Sequence, residues 1–297
     1  MLEQGQWFTE VMDSAGIAFS LKINSKLHEE QTPYQHIAIY DTQTFGKLMV
    51  IDGCIMLSTR DNFIYHEMLT HPAMFTHRHP KNVVIIGGGD CGTLKEVLKH
   101  RCVMHAHLVE IDERVTRLAE IYFPELCSAN HDSRAQLFFG DGIAWIGQQP
   151  DRSQDVIIVD STDPVGPAQG LFSMQFYREC FRVLKDDGIL ALQSESPLIH
   201  MDIIKSVYRS MLYAGGKHLR TLCFPQCVYP SGWWSVTLAS KQASLDYFRS
   251  QDERVRTFDT RYYNAEMHRF SGANPSFLTE VLQEVLKSAG NPNQRMR

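Results

Sequence analysis

The stretch VVIIGGGDCGTLKEVLKH, Val83–His100, runs from an apolar tetrad into three glycines, an aspartate and an amphipathic segment. An apolar run that ends in glycines and gives way to helical spacing marks a strand, a tight turn and a helix. Gly87, Gly89 and Gly92 satisfy the G-x-G-x-x-G spacing of a dinucleotide site. Yet Asp90 stands where a pyrophosphate would lie. A carboxylate among the glycines Gly87, Gly88 and Gly89 repels phosphate and attracts a cation. The stretch therefore predicts a nucleoside ligand without phosphates that carries positive charge. An S-adenosyl sulfonium fits this description better than NAD.

Downstream of Val83 the sequence alternates strand and helix. NVVIIGG, MHAHLVEID, AQLFFGD, DVIIVDS and GILALQSE read as strands. LKEVLKH, ERVTRLAEIYF and SMQFYRECFRVLK read as helices, the last with Gly188 as its C-cap. Such alternation predicts an α/β fold with a parallel, doubly wound, Rossmann-like sheet. HMDIIKSVYRSMLYAG adds a helix and GWWSVTLAS a strand. Upstream, YQHIAIYDT, GKLMVIDG and CIMLST read as antiparallel strands, with Asp52–Gly53 as a hairpin turn. NFIYHEMLTHPAMFTH has helical spacing. The expected organisation is an N-terminal β domain over 1–62, a connecting helix over 63–80 and a catalytic domain over 81–297. The tail from Ser288 onward is expected to be mobile.

Composition narrows the function. A net charge of −5 without clustered Lys or Arg gives no support to a nucleic-acid partner. The apolar runs are far too short to span a membrane, and the first residues have no signal-peptide pattern. Cysteines of odd number, 7, and irregular spacing fit free thiols in a cytoplasmic protein. No metal site is expected, since Cys223 and Cys227 lack a second ligand pair.

In doubly wound sheets, ligands bind beyond the carboxyl ends of the strands. Asp90, Glu110, Asp141 and Asp160 each follow a strand, so folding should gather them on one rim. Glu110 falls where an acid accepts hydrogen bonds from ribose hydroxyls. Asp160 opens DSTDP, which adds Asp163; Pro164 and Pro167 stiffen that loop. The expected pocket is strongly anionic and suited to a polycationic substrate. A methyltransferase using ordinary S-adenosylmethionine is disfavoured, because its α-carboxylate would face Asp90. A catalytically silent nucleoside-binding protein stays open on the residues alone.

The segments YQ (Tyr34–Gln35), YHEMLTHPA (Tyr65–Ala73), IGGGDCG, VEID, GDG, DSTDPVGPA, QSESP (Gln193–Pro197) and YPSG (Tyr229–Gly232) resemble, in this order, the spermidine synthases. These are polyamine aminopropyltransferases, and the resemblance runs from about Trp7 to Leu282. It implies transfer of an aminopropyl group from decarboxylated S-adenosylmethionine, a co-substrate rather than a bound cofactor, to putrescine. Spermidine and 5′-methylthioadenosine would be the products. It implies that Gln35 contacts the nucleoside, Glu110 the ribose, and Asp141 with Gly142 the adenine, while Pro167 lines the nucleoside pocket. His66, Asp90 and the loop Asp160, Ser161, Thr162 and Asp163 would meet the amines, with Asp160 as base. Tyr65, Gln193 and Tyr229 would shape the diamine tunnel. A homodimer or dimer of dimers is expected, with one of Trp233 and Trp234 at an interface. Cys91 departs from the small residue usual at its position. The length of the tunnel, and with it the choice among putrescine, agmatine, cadaverine and spermidine, is not legible in the sequence.

Overall fold

A computed structural model describes residues 5–164 and 166–289; of the tail expected to be mobile from Ser288 onward, Ser288 and Ala289 belong to the last helix and the rest lies outside the described residues. The N-terminal region forms a 5-stranded antiparallel sheet in chain order: β1 (Trp7–Met12), β2 (Ile17–Gln31), β3 (His36–Thr42), β4 (Gly46–Ile51) and β5 (Cys54–Ser58). The β4–β5 hairpin turns at Asp52 and Gly53, whose φ angles of 50° and 85° are the left-handed pair that such a turn demands. The first two strands escaped the sequence pattern. From Asn24 to Gln31, β2 is charged and has no apolar alternation; its pairing with β3 keeps it extended.

The second sheet has 7 strands in the order β11-β12-β10-β9-β6-β7-β8. Its parallel part comprises β6 (Asn82–Gly87), β7 (His105–Glu110), β8 (Ala135–Phe139), β9 (Gln154–Asp160) and β10 (Leu184–Gln193). The antiparallel hairpin β11 (His218–Pro225) and β12 (Trp233–Ser240) extends it beyond β10, so the sheet is mixed. Helices α2 (Gly92–Leu98), α3 (Glu113–Tyr122), α4 (Gly142–Gln148), α5 (Met174–Val183) and α6 (Met201–Ala214) connect the strands. The unbroken apolar runs of β6 and β9 reflect burial on both faces. Val83, Ile85, Val156 and Ile158 join the core shared with the N-terminal sheet. Val84, Ile86, Ile157 and Val159 join the core on the opposite face, under α5.

One expectation needs correction. Gly188 does not cap a helix: α5 ends at Val183, Leu184 already pairs in β10, and Gly188 sits at the irregularity between Leu184 and Ile189. Trp233 packs on Phe277 of the same chain, at 6.1 Å between ring centroids.

Helix α1 (Asn62–Thr76) lies between the sheets and is buried on nearly every side, as a helix without a polar stripe must be. The C-terminal segment pins it at two points. Arg249 donates to the carbonyls of Met74 and His77 at 2.9 Å and closes the helix's C-terminal end. The buried Glu67 carboxylate accepts the backbone N–H groups of Arg261, Tyr262 and Tyr263, each at 2.8 Å. Helices α7 (Ser250–Arg254), α8 (Ala265–Ser271) and α9 (Ser276–Ala289) complete this region. Glu67→Ala strands three backbone donors, one buried and two part-buried, and should destabilise the fold by roughly 3 kcal/mol. Glu67→Gln, which keeps one acceptor oxygen, should lose less. Denaturant unfolding with an unshifted midpoint for the alanine variant would remove Glu67 as an anchor.

Candidate active site

The chain runs β6, β7, β8 in one direction and then returns to place β9 on the other side of β6. That reversal opens a crevice at the strand ends. Here Gly87 pairs directly with Asp160, and the Gly88 N–H donates to the Asp160 carbonyl at 2.8 Å. A Cβ on Gly87 would lie 2.2 Å from that carbonyl, and its φ of +81° is itself left-handed. Only glycine fits there. Gly92 is needed for a different reason: a Cβ would meet the His66 ring at 2.2 Å. The third glycine of the fingerprint therefore makes room for a histidine. Asp90 Oδ1 accepts the Gly92 N–H at 2.6 Å and occupies the turn where a phosphate would otherwise bind. Cys91, in the left-handed conformation at φ 69°, is buried behind this loop.

The crevice is lined by Gln35, Tyr65, the glycines Gly87–Gly89, Asp90, Glu110, Asp141, Gly142, Asp160, Ser161, Thr162 and Tyr229. The four strand-end acids thus meet in one cavity. Asp160 is buried, and both its oxygens are held: Tyr65 donates to Oδ1 at 2.7 Å and Thr93 to Oδ2 at 2.6 Å. Burial, then the nearby Asp90 carboxylate, push the Asp160 carboxyl above its ordinary range. Burial presses Asp90 the same way, but His66, 3.2 Å away, more than offsets it and the net shift is downward. In return Asp90 outweighs the burial of His66 and raises the imidazole. Glu110 accepts the N–H groups of Gly89 at 3.0 Å and Asp112 at 2.9 Å, yet burial still pushes it up to about 7. Asp141 caps α4 by accepting the Ile143 N–H at 2.8 Å, so one of its oxygens has a structural task. Gln35 donates to Asp112 at 3.0 Å.

Not every expected residue lines this crevice. His66 lies behind Asp90 and borders a separate cavity between α1 and α2. Asp163 and Gln193 line a second, narrower cavity, which shares Met56, Tyr65, Ser161, Thr162 and Tyr229 with the crevice. The side chain of Pro167 lies outside the described residues. The second cavity also holds Glu10, whose Oε2 accepts the Ile55 N–H at 2.8 Å. Asp163 is pushed up to about 8, by burial first and then by the Glu195 carboxylate beside it. Glu195 is fully buried and has His200 Nδ1 at 2.9 Å. Glu10 and Asp163 therefore line this cavity, and the Glu195 carboxylate lies buried beside Asp163. Sequence reasoning named only Asp163. The strand-end rule extends to Glu195, which follows β10; Glu10 gave no local signal, because β1 was not recognised. Among the described residues no cluster of His, Cys, Asp or Glu could hold a metal ion, and no helix is long and apolar enough to cross a membrane.

A Rossmann-like sheet with this crevice, fed by an antiparallel N-terminal sheet, defines a transferase. Residues 62–248 match the spermine/spermidine synthase domain, and residues 6–59 match the spermidine synthase tetramerisation domain. The chain is 59% identical to a polyamine aminopropyltransferase of Methylococcus capsulatus over 96% of this chain and 100% of that one. It is also 59% identical to the polyamine aminopropyltransferase of Nitrosococcus oceani, over 94% of this chain and 98% of that one. The spermidine synthase of Thermotoga maritima superposes with a TM-score of 0.89 at 35% identity, covering 96% of each chain. A spermidine synthase in complex with the transition-state analogue AdoDATO gives a TM-score of 0.91 at 35% identity, covering 96% of this chain and 97% of that one. The chain belongs to the spermidine synthase family of polyamine aminopropyltransferases, which transfer an aminopropyl group in polyamine biosynthesis.

Proposed function

We propose that the chain transfers the aminopropyl group of decarboxylated S-adenosylmethionine to putrescine, forming spermidine and 5′-methylthioadenosine without a resident cofactor. The observation that carries this reading is that the crevice holding Asp160 adjoins the acid-lined second cavity, with Met56, Tyr65, Ser161, Thr162 and Tyr229 lining both. Asp90 lies on one side of Asp160 and Asp163 with Glu195 on the other. A donor with an aminopropyl ammonium and an acceptor with two ammonium ends would place positive charge at each.

In this reading Glu110 accepts from the ribose hydroxyls, Asp141 and Gly142 meet the adenine, and Gln35 borders the nucleoside. Gly87–Gly89 allow close backbone approach, and Asp90 holds the donor's ammonium with His66 behind it. Tyr65, Tyr229 and Gln193 wall the acceptor channel, and the Asp163–Glu195–Glu10 end holds the far ammonium. An alkylamine has a pKa of about 10 and arrives as ammonium, without a lone pair. Asp160, raised by burial and Asp90, accepts its proton. The freed nitrogen attacks the carbon beside the sulfonium; the C–N bond forms, the C–S bond breaks, and the electron pair stays on sulfur as a neutral thioether. No covalent enzyme intermediate is needed. Tyr65 and Thr93 fix the carboxylate, so that much of the acceleration comes from alignment.

Incubation with decarboxylated donor and a panel of amines, with mass detection, should yield spermidine from putrescine; no product from any amine would refute the reading. Asp160→Asn should lower turnover by about 10³-fold while methylthioadenosine affinity stays within a few-fold. Unchanged turnover would remove Asp160 as the base.

Glu110, at about 7, is partly protonated near neutrality, and a protonated carboxyl accepts fewer hydrogen bonds from the ribose. Affinity for methylthioadenosine should therefore fall as pH drops through about 7, by up to roughly tenfold per unit. In Glu110→Gln the dependence should vanish. Calorimetry between pH 8 and 6 that shows a flat wild-type profile would count against the assignment. The N-terminal sheet, which matches the tetramerisation domain, supports assembly as a homodimer or dimer of dimers; a light-scattering mass of one chain would exclude it.

A further inference from the structure

His200 stands outside the cavities, unused by the mechanism above, yet it leans on the acid end of the acceptor channel. It is the N-cap residue of α6, but its side chain makes no capping bond. Instead Nδ1 lies 2.9 Å from Glu195 Oε2, and neither atom has a well-aligned hydrogen-bond partner among the described residues. The approach is that of an ion pair out of line for a hydrogen bond. A positive imidazole at a helix N-terminus opposes the helix dipole, so its charge must be supported from elsewhere. Glu195 supplies that support from a strained position. Its φ of 69° is left-handed for a non-glycine residue, and its carboxylate is fully buried. Gln193 Nε2 donates to the other carboxylate oxygen at 3.2 Å, and Trp234 Nε1 fixes Gln193 at 3.1 Å. The Trp234 ring also stands edge-on to His200, with centroids 6.1 Å apart.

We propose that His200 is a positioning residue for the acceptor: by pairing with Glu195 it sets the charge of the Glu10–Asp163–Glu195 end, and so how readily that end takes the acceptor's far ammonium. This rests on the function proposed above.

Every element that packs here contributes a group. Glu10 comes from β1, Cys54 from β5, Tyr65 from α1, Asp163 from the loop after β9 and Tyr229 from the turn before β12, while Glu195, just beyond β10, is buried behind Asp163. Burial keeps the Cys54 thiol and both phenols neutral; Cys54 is pushed up to about 12 and the tyrosines well above their ordinary value. Glu10, Asp163 and the imidazole of His200 are what titrate. Burial raises Glu10 and Asp163, and the positive charge of His200 pulls both back down. Burial would lower His200, but Glu195, with Asp163 and Glu10, raises it. Without the imidazole, the acids would hold more protons at neutral pH, and an arriving ammonium would have to expel them.

The test is the pH profile of His200→Gln. In the wild type, KM for putrescine should improve as pH rises through the range in which Asp163 ionises, at about 8. In the variant that limb should move upward by roughly one unit, which makes KM about tenfold weaker near pH 7 and closes the gap at higher pH. The donor's KM and kcat at saturation should stay within about twofold, since His200 touches neither the crevice nor Asp160. A monoamine acceptor, lacking the far ammonium, should respond to neither the pH shift nor the variant. His200→Lys, which keeps a cation, should restore the neutral-pH KM. An unshifted limb in His200→Gln, or failure of lysine to rescue, would overturn the inference. NMR titration of the wild-type imidazole tests it without a variant: a His200 ring already neutral at pH 7 overturns it. If the wild type makes no spermidine from putrescine, it is the functional reading that fails.

Discussion

Parallel pairing of β6 with β9 sets the distance between the glycine loop and Asp160, and the site is built outward from it. Register places Gly87 opposite Asp160, and the Gly88 N–H takes the Asp160 carbonyl. Gly87 can have no Cβ because the carbonyl is already there. Asp160 then stands at the end of a strand buried on both faces, so it cannot retreat toward water. Tyr65 from α1 and Thr93 from α2 fix its two oxygens. A one-residue slip in the pairing would exchange the two faces of β9 and turn its side chain away from the cleft.

Fixing several acids in one dry cleft creates the second constraint. Like charges at close range resist ionisation unless a cation or a hydrogen bond compensates. The chain distributes these compensations unevenly. Asp90 has His66 and is lowered; Asp160 and Glu110 have neutral donors and are raised; Asp163 faces another carboxylate and rises further than Glu110. The acid assigned to accept a proton is therefore one whose carboxyl is raised, whereas the acid assigned to hold a permanent ammonium is lowered. Substrate charge supplies the compensation that the protein leaves out.

Strand-end chemistry was legible because one rule, an acid where a parallel strand stops, repeats along the chain. Asp90, Glu110, Asp141 and Asp160 emerged from it, and the fold followed from the apolar runs of β6 and β9. The rule was applied to four strands and not to the fifth, which hid Glu195. Glu10 was hidden for a deeper reason: its strand has no decisive alternation, and it reaches the cavity only through the sheet that covers it. His66 was assigned to the amine by resemblance, whereas its position is decided by Gly92, whose missing side chain admits the ring behind Asp90. Gly188 looked like a helix stop because glycine serves both helix ends and strand irregularities. Contacts made across long sequence separations, such as Glu67 to Tyr263, leave no periodic trace to read.

The clamp on α1 also constrains the order in which the chain can be completed during synthesis. The helix that carries Tyr65 is made well before the segments that hold it, and it has almost no polar face. Its C-terminal carbonyls and Glu67 wait for Arg249 and for the backbone at residues 261–263, the last segments before the final helices. Until those emerge from the ribosome, an apolar helix and its acid lack these partners, and α1 cannot complete its packing.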